Sequence, residues 1–463
     1  MVMVPAPRPD LHGLTLVVGL GVSGLSAARA LAHLGASFAV VDTRSAPPGL
    51  AELDRIAPEA EVCCGDFGLI QAEALFARAA RLIVSPGISV RTPAIAACAA
   101  RGVPVWGDIE LFARLTDVPV IGITGSNGKS TVTTLLGEMA TAAGVRPAVG
   151  GNLGTAALDL WLEREAAGDV PGLYVLELSS FQLETTHSLA CVAATVLNVS
   201  ADHLDRYDGM DDYAAAKARL FERAAVQVVN RDDARVRAMI RPERPVIGFG
   251  SDRPPAAGDY GLERHGDTIR LMHGATALLD AAELRIGGLH NALNVLAALA
   301  LGAAAGLPLA PMLAAARAFA GLAHRTQLVA EHAGVRWYDD SKGTNVGATV
   351  AAIAGLPGRL VLIAGGDGKG QDFAPLAEAL DGRARAVVLL GRDAPRIEAA
   401  LAGRLPCERV ADMEQAVARA AALAQPGDIV LLSPACASLD MYRSYAERGR
   451  LFAQAARRVA GSC

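Results

Sequence analysis

Residues 124–131 read Thr-Gly-Ser-Asn-Gly-Lys-Ser-Thr, and this stretch decides the fold around it. A strand-like apolar run, residues 118–123, precedes it, and a helix-like run, residues 132–143, follows it. Glycines let backbone N–H groups turn toward an anion, a helix N-terminus adds positive potential, and lysine supplies a mobile charge. The hydroxyls that follow suit the magnesium that accompanies a nucleoside triphosphate. The stretch therefore predicts a phosphate-binding loop, with ATP as the nucleotide.

The loop departs from a strict Walker A motif at one position. Where that motif has its first glycine this chain has Ile123, with Gly122 and Gly125 close by. An ordinary glycine-rich turn between strand and helix is the alternative, but the agreement of strand, loop and helix favours the nucleotide. The predicted loop contacts to ATP are Gly125, Ser126, Asn127, Gly128, Lys129, Ser130 and Thr131.

Composition limits the class of protein. The chain has 463 residues, 52% of them hydrophobic and 20% charged, which is enough for two or three globular domains. A net charge of −5 argues against broad affinity for nucleic acid, so no nucleic-acid partner is expected. Seven cysteines without a C-x-x-C pair suit a reducing cytoplasm, which is the predicted location.

No membrane insertion is expected. The first eleven residues contain no apolar signal-peptide core. Residues 295–316 carry no charge and are long enough to cross a bilayer, but they are rich in alanine and are interrupted by residues 306–308 and Pro311. Two buried helices joined by a short turn are the better interpretation.

Strand-like and helix-like segments alternate in three blocks, predicted at residues 1–106, 107–321 and 322–463. Such alternation is typical of parallel α/β sheets, and we expect one in every block. The strand candidates besides 118–123 are residues 14–19, 38–42, 81–85, 173–178, 192–198, 227–230, 336–339, 359–364, 386–390 and 428–432.

The first block carries a glycine-rich turn after its first strand candidate. Residues 19–24 read Gly-Leu-Gly-Val-Ser-Gly, and Asp42 ends the next strand candidate. This has the form of a dinucleotide fingerprint, although any nucleotide diphosphate could use the same turn. Tight packing of helix on strand without a ligand is the alternative. Residues 85–87 end another strand at the edge that would face the same ligand.

The second block places polar residues after two apolar strands. Glu177, at a strand end beside the phosphate loop, is suited to hold magnesium. Asp202, His203 and Asp205 cluster after the next strand, which leaves a metal or nucleotide role open against a structural one. From its pattern alone, Lys217 is a solvated helix lysine.

The third block has three polar loops, residues 339–345, 365–369 and 433–438, each at the end of a strand candidate. The carboxyl ends of parallel strands form the ligand-binding edge of such sheets. Lys342 and Lys369 could neutralise a small dicarboxylate, and Thr344 and Ser438 could orient it by hydrogen bonds.

In combination and order, these segments resemble the Mur ligase family over nearly the whole chain. The motifs that carry the resemblance are TGSNGKST at 124, LELSSFQLE at 176, DHLDRY at 202, HNALN at 290, AHRTQ at 323, DSKGTN at 340, GGDGK at 365 and SPACASLD at 433. The resemblance implies an α/β fold of three domains. These are a Rossmann-like N-terminal domain, a P-loop ATP-binding central domain and a Rossmann-like C-terminal domain.

The resemblance is to the members that add D-glutamate to UDP-N-acetylmuramoyl-L-alanine. It implies an ATP-dependent, amide-forming ligase of peptidoglycan precursor synthesis that works through an acyl phosphate and a tetrahedral intermediate. ATP, Mg²⁺ and a CO₂-derived carbamate on Lys217 are the implied cofactors, and a monomer is expected.

The resemblance also implies roles for individual residues. The implied catalytic residues are Lys129, Glu177, His203 and Lys217, and the implied metal ligands are Ser130, Glu177, His203 and Lys217 as its carbamate. Further ATP contacts are Asn291, Asn294, Arg325 and Asp340. The UDP substrate is expected at Gly21, Val22, Ser23, Asp42, Thr43, Arg44, Ser85, Pro86, Gly87, Asn152 and Ser179. D-glutamate is expected at Thr344, Lys369, Ser438, Leu439 and Tyr445.

Two departures and several alternatives stay open. Gly343 and Tyr445 stand where other members often have alanine and phenylalanine. A nicotinamide oxidoreductase would explain the first-block glycines, and a non-catalytic UDP-sugar sensor would explain binding alone. Within the family, a meso-diaminopimelate ligase would carry an Asp-Asn-Pro-Arg motif, which this sequence lacks. A folylpolyglutamate synthetase shares the phosphate loop, but fits the loops at 365 and 433 less well.

Overall fold

The computed structural model describes residues 9–168, 170–266 and 268–461. Its described strands form three sheets, and buried apolar side chains cover both faces of each sheet. The predicted three-domain α/β fold is confirmed. The predicted boundary after residue 106 falls between a strand and a helix, and the one after residue 321 lies in a connection. Both positions stay predictions.

The N-terminal sheet is parallel, with strand order β3-β2-β1-β4-β5. The order reverses at β1, which opens a crevice at the carboxyl end of that strand. Its elements are β1 Thr15–Val18, α1 Val22–His33, β2 Phe38–Asp42, α2 Leu50–Ile56, β3 Glu61–Cys64, α3 Ile70–Arg78, β4 Arg81–Val84, α4 Pro93–Ala100 and β5 Val105–Trp106.

The central domain has the longest sheet, ordered β14-β13-β12-β11-β10-β9-β6-β8-β7. Its elements are α5 Asp108–Leu115, β6 Val120–Thr124, α6 Lys129–Ala142, β7 Pro147–Gly151, α7 Ala157–Ala167, β8 Leu173–Glu177, α8 Ser180–Leu183, β9 Ala193–Val196, α9 Met210–Ala218, β10 Gln227–Asn230, α10 Ala234–Ala238, β11 Val246–Phe249, β12 Tyr260–His265, β13 Thr268–His273, β14 Thr276–Asp280, α11 Leu289–Ala304 and α12 Leu309–Ala318. Two 3₁₀ turns lie at Arg219–Phe221 and Ala281–Glu283.

The C-terminal sheet is ordered β15-β16-β20-β17-β18-β19. Its elements are β15 Gln327–His332, β16 Val335–Asp339, α13 Val346–Gly355, β17 Leu360–Ala364, α14 Ala374–Leu380, β18 Ala384–Leu389, α15 Ala394–Leu401, β19 Cys407–Arg409, α16 Met413–Leu423, β20 Ile429–Leu432 and α17 Tyr445–Gly461. The three polar loops of this block follow β16, β17 and β20.

The expectation of a parallel sheet in every block was wrong in two places. Strands β12, β13 and β14 pair antiparallel at one edge of the central sheet, and β15 pairs antiparallel with β16. The connections between these strands are short turns, and a parallel crossover needs a dozen or more residues. The extension lies at the far end of the sheet from β6, so it does not alter the phosphate loop.

The uncharged segment at 295–316 forms parts of two helices, α11 and α12, as predicted. Gly306 lies between them, and most of the α11 side chains are buried against α6 and the sheet. Among the described residues, no helix is long and apolar enough to cross a membrane.

Position 24 requires glycine because the backbone of α1 lies very close to the end of strand β1 there. A Cβ at this position would lie 1.8 Å from the Gly19 carbonyl oxygen and 2.8 Å from the Ser85 hydroxyl. We expect Gly24→Ala to lower the free energy of unfolding by at least about 2 kcal/mol, because the backbone contact cannot yield without moving α1 off the sheet. Denaturant titration measures this loss.

Gly21→Ala is the matched control, since a Cβ there meets nothing within 4 Å. It should stay within about 1 kcal/mol of the parent. Equal stability of Gly24→Ala and the parent would show that the fingerprint glycine is not required for packing.

Candidate active site

The predicted strand, loop and helix around residues 124–131 are confirmed. Helix α6 begins at Lys129, three residues before the predicted start, so its unpaired N–H groups lie in the loop itself. Gly128 has φ of 85°, a conformation that favours glycine. Asn198 holds the loop open, because its carbonyl accepts the Ser126 N–H at 2.9 Å and its side-chain oxygen accepts the Asn127 N–H at 2.8 Å. Sequence reasoning gave Asn198 no role.

The Lys129 side chain folds back onto the phosphate loop. Its Nζ donates to the carbonyl oxygens of Gly125 and Ser126 at 2.8 and 2.9 Å. Burial lowers the pKa of Lys129, while the nearby carboxylates of Glu177 and Asp202 act to raise it. The amine is therefore held in the loop by weak neutral acceptors, which anionic phosphate oxygens can replace.

Glu177 lies at the centre of a hydrogen-bonded group beside the loop. Ser130 donates to one of its oxygens at 2.6 Å and Asn152 donates to the other at 2.7 Å. Arg325, from the C-terminal domain, donates to the Ser130 hydroxyl at 2.7 Å. Burial alone would raise the pKa of Glu177, but Lys129 and the two donors outweigh it and lower that pKa. An ionised carboxylate therefore faces the loop.

Lys217 is not the solvated lysine that its pattern indicated. The residue is 1% exposed, and its Nζ donates to the Gly125 carbonyl at 3.1 Å. The amine also lies 4.5 Å from the centre of the Tyr213 ring. Burial, reinforced by the charge of Lys129, holds the pKa of Lys217 well below its usual value. The tertiary fold, which turns the end of α9 onto the loop, thus favours the neutral form of this amine.

His203 lies beside the same group with a positive φ of 54°. Its Nε2 is 3.6 Å from a carboxylate oxygen of Asp202, and its ring packs edge-on against Phe181. Burial lowers the pKa of His203, which favours the neutral imidazole that binds metals. Asp205 is exposed, so the predicted cluster of three does not form. Among the described residues, no three His, Cys, Asp or Glu side chains are grouped to hold a metal.

A cavity of about 320 Å³ opens beside the loop, between the central and C-terminal domains. Asn291 accepts a hydrogen bond from Asn294 at 3.2 Å at the start of α11. Predicted ATP residues that line the cavity are Asn127, Gly128, Thr131, Asn291, Asn294, Arg325 and Asp340. His290 and Lys342 also line it, and neither was assigned to ATP from the sequence.

Asp340 is a buried carboxyl in this cavity. Burial raises its pKa to about 7, against hydrogen bonds from Ser433 and Thr326. The unfolded pKa is about 4, so the folded state holds the proton more tightly. The contribution of protonated Asp340 to the free energy of unfolding is complete below pH 4, and it is lost as the pH rises toward 7.

We therefore expect the stability of Asp340→Asn relative to the parent to rise by up to a few kcal/mol between pH 4.5 and 7.5. Denaturant unfolding of both proteins at each pH measures the difference, and groups common to both cancel. A difference that does not change with pH would contradict the raised pKa.

A second cavity, of about 580 Å³, opens at the crevice of the N-terminal sheet. All but one of the residues predicted for the UDP substrate line it: Gly21, Val22, Ser23, Asp42, Thr43, Arg44, Ser85, Pro86, Gly87 and Asn152. Ser179 is the exception, because its hydroxyl caps α8 by accepting the Gln182 N–H at 3.1 Å. Gln182 lines the cavity instead, and no role was predicted for it.

The Asp42 carboxylate is already engaged in this cavity. It accepts the Leu20 N–H at 2.7 Å and two bonds from the Arg44 guanidinium, at 2.9 and 2.6 Å. Burial would raise the pKa of Asp42, but these donors lower it. The carboxylate therefore binds the glycine-rich turn and orients Arg44. It is not free to bind the ribose of a dinucleotide.

The three polar loops of the C-terminal domain meet as predicted. Asp367 and Ala437 form an antiparallel bridge between two of the loops, and Ser433 donates to Asp340 of the third at 2.6 Å. Ser438 is buried, whereas Leu439 is 75% exposed. Thr344 is half-buried in the loop after β16.

Lys369 and Asn345 join the C-terminal domain to the central one. Lys369 Nζ donates to the Asp202 carboxylate at 2.6 Å. Asn345 donates to Asn127 at 3.1 Å and to Asp202 at 3.3 Å. The loops expected to hold the amino acid therefore face the phosphate loop across one narrow junction.

All four lysines of the chain lie at this junction: Lys129, Lys217, Lys342 and Lys369. Apart from these lysines and the histidines, the basic residues of the chain are all arginines. Burial, with the charges of Arg325 and Lys129, lowers the pKa of Lys342 to about 8. A lysine can present a compact, movable charge or a neutral amine, and an arginine can present neither. The chain has its lysines at the junction, where these two properties are useful.

Three protein-family models match the chain. They are a Mur ligase MurD-like N-terminal domain at residues 14–107, a Mur ligase middle domain at 123–302 and a Mur ligase glutamate ligase domain at 324–436. Together they cover most of the sequence, and each matches one of the three sheets.

Relatives match over nearly their full length. The UDP-N-acetylmuramoylalanine–D-glutamate ligase of Pseudomonas aeruginosa is 56% identical over 449 residues, which are 96% of this chain and 98% of that protein. The ligase of the same name from Nitrosococcus oceani is 54% identical over 454 residues, 98% of both chains.

Solved structures share the fold at lower identity. UDP-N-acetylmuramate–alanine ligase of Thermotoga maritima aligns with a TM-score of 0.58 and 18% identity, over 98% of this chain and all of that one. MurF of Acinetobacter baumannii gives a TM-score of 0.58 and 16% identity, over 97% and 93% of the two chains. These two likenesses establish the three-domain architecture.

Proposed function

The chain belongs to the Mur ligase family, and from this premise we propose that it joins D-glutamate to UDP-N-acetylmuramoyl-L-alanine at the expense of ATP. The reaction is an amide-forming step in peptidoglycan precursor synthesis. Relatives more than half identical over nearly the full chain carry the name of this activity.

One observation of the structure carries the proposal. Asn152 lines the cavity of the N-terminal sheet and donates at 2.7 Å to Glu177, which binds Ser130 of the phosphate loop. A molecule anchored by a nucleotide in that cavity can therefore extend to the end of a triphosphate held in the loop. A carboxylate and the terminal phosphate of ATP are thereby brought together.

The chemistry follows from the poor reactivity of a carboxylate. Its oxygen attacks the γ-phosphorus of ATP, ADP leaves, and an acyl phosphate forms. The amine of D-glutamate then attacks the acyl carbon, a tetrahedral intermediate forms, and phosphate leaves as the amide is made. Lys129 and Arg325 lie where negative charge accumulates during phosphoryl transfer, and their donors can bind the phosphate oxygens.

Magnesium fits the residues present. Ser130 and the ionised Glu177 offer oxygen ligands beside the loop, and His203 offers a neutral imidazole. Mg²⁺ is usually held by one or two carboxylates together with substrate phosphates, so three grouped protein carboxylates are not required. When bound, the ion neutralises phosphate charge. Ser130, Glu177 and His203 are proposed to hold it.

Lys217 is proposed to carry a carbamate. A neutral buried amine can attack CO₂, and loss of one proton leaves an N-carboxylate in place of the amine. The lowered pKa of Lys217 favours that neutral amine next to the loop. The modification would give this position an anionic oxygen that can bind a metal ion.

D-glutamate is proposed to bind where the three C-terminal loops face Asp202. Lys369 can exchange its ion pair with Asp202 for a carboxylate of the amino acid, with Thr344, Ser438, Leu439 and Tyr445 around it. Gly343 and Tyr445 lie in or beside this group, so the two departures from the family pattern bear on glutamate affinity. A monomer is the proposed active form, and the need for ATP suits the cytoplasm.

Phosphate release tests the proposal. With ATP and UDP-N-acetylmuramoyl-L-alanine present, D-glutamate should stimulate phosphate release at least about 100-fold over L-glutamate, because a pocket built for one enantiomer misplaces the amine of the other. Glycine and meso-diaminopimelate serve as further comparisons.

The outcomes separate the alternatives. Binding of the UDP substrate without phosphate release would identify a sensor rather than a ligase. A change in nicotinamide absorbance on adding substrate would support the oxidoreductase alternative. The hydrogen bonds of Asp42 to Arg44 and to the turn argue against that alternative. Equal stimulation by both enantiomers would contradict the proposed amino-acid substrate.

A further inference from the structure

Asp108 is a buried carboxyl to which the proposed reaction gives no role. It is the first residue of α5, where the chain leaves the N-terminal sheet, and it is 2% exposed. Its Oδ2 accepts a hydrogen bond from Gln182 Nε2 at 3.0 Å, while Oδ1 has no partner among the described residues. Burying a carboxyl that is only partly satisfied costs stability, and native proteins keep such groups where they serve a purpose.

Asp108 fixes the orientation of the Gln182 side-chain amide. Its amide oxygen accepts the Ser179 N–H at 3.1 Å, and its amide nitrogen donates to Asp108, so the amide is fixed at both ends. An amide nitrogen carries two hydrogens, and one remains after the bond to Asp108. Gln182 lines the cavity of the N-terminal sheet. The carboxyl therefore makes the amide face that cavity as a donor.

Gln182 is the side chain that donates to the Asp108 carboxyl, at 3.0 Å. Burial raises the pKa of Asp108, and the hydrogen bond from Gln182 opposes that rise. Asp108 thus acts on the cavity through the Gln182 side chain.

We propose that Asp108 is a positioning residue for the diphosphate of the nucleotide substrate, acting through Gln182. The inference rests on the proposed function, which places a UDP-linked substrate in this cavity. Diphosphate oxygens accept N–H and O–H donors in short, charge-assisted bonds. Without an acceptor at position 108, the Gln182 amide is free to turn and present its oxygen to the phosphates, which weakens binding.

Asp108→Leu tests this, because leucine is close to aspartate in shape and offers no acceptor to Gln182 Nε2. The Gln182 amide then loses one of the two hydrogen bonds that fix it. The dissociation constant of UDP-N-acetylmuramoyl-L-alanine, measured by titration calorimetry, should rise about tenfold. The KM values for ATP and D-glutamate should stay within about twofold, because neither is bound in this cavity.

Glu110→Gln is the matched control. Glu110 is a buried carboxyl of the same helix, and it accepts the N–H groups of His187 and Ser188 at 2.7 and 2.8 Å. It does not line the cavity. This variant should lower the melting temperature without a selective loss of affinity for the UDP substrate.

The swapped pair Asp108→Asn with Gln182→Glu separates positioning from packing. It restores the hydrogen bond with its direction reversed, so the melting temperature should recover toward that of the parent. The cavity then gains a carboxylate and loses a donor, so affinity should stay at least about tenfold weaker.

Parent-like affinity in Asp108→Leu, an equal loss in Glu110→Gln, or recovery of affinity in the swapped pair would each overturn the proposal. Titration needs no turnover. A parent chain that binds the UDP substrate but releases no phosphate would end the proposed ligase activity and leave Asp108 testable.

Discussion

Replacing Lys217 by alanine is expected to lower the turnover number at least about 10³-fold, or about 4 kcal/mol of transition-state stabilisation. The residue is buried, its amine is bound to the Gly125 carbonyl, and its pKa is held well below the usual value. As a carbamate it would supply an anionic oxygen at the phosphate loop, and alanine cannot. Phosphate release at saturating substrates measures the loss.

Lys217→Arg is the control that separates the carbamate from charge. Arginine fills the space and carries a permanent cation, and its guanidinium does not add CO₂. We expect it to be as inactive as the alanine variant. Short-chain carboxylates should partly restore Lys217→Ala, whose space is open, and should not restore Lys217→Arg. An arginine variant with more than about a tenth of parent activity would contradict the carbamate.

Replacing Lys129 by alanine is the second change with a large expected effect. We expect kcat/KM for ATP to fall at least about 10³-fold, because the loop loses its own mobile charge, which can follow phosphoryl transfer. In the structure its amine rests on the Gly125 and Ser126 carbonyls, which are weaker partners than phosphate oxygens. Steady-state kinetics with varied ATP gives the value.

The affinity for the UDP substrate is the internal control for Lys129→Ala. Lys129 does not line the second cavity, so titration with UDP-N-acetylmuramoyl-L-alanine should change less than about twofold. An unchanged kcat/KM for ATP, with binding of the UDP substrate intact, would show that residues 124–131 are an ordinary turn.

The phosphate loop and the sheets could be predicted because their signals are local. Apolar runs of four to six residues marked the central strands, and the glycines with Lys129 marked the turn between β6 and α6. The antiparallel strands β12 to β14 were missed because the alternating pattern of the rest of the chain was extended to them. Their short turns, rather than their composition, decide the pairing.

The site was predictable where one motif supplies the whole arrangement and not where the fold brings motifs together. Lys217 sits in an alanine-rich helix whose pattern gives no sign of burial, so only the family resemblance singled it out. Ser179 and Gln182 lie in one motif, and the cap on α8 decides which of them reaches the cavity. Asp108 had no local signal, because its partners lie in distant segments.

Oxygen transfer tests most directly the claim that ATP activates the carboxylate of the UDP substrate. UDP-N-acetylmuramoyl-L-alanine labelled with ¹⁸O in its carboxylate is turned over with ATP and D-glutamate in unlabelled water, and the released phosphate is analysed by mass spectrometry. Formation of an acyl phosphate followed by amine attack predicts one ¹⁸O atom in each phosphate. Phosphate without the label would mean that the carboxylate never bonded to phosphorus, and it would contradict the account.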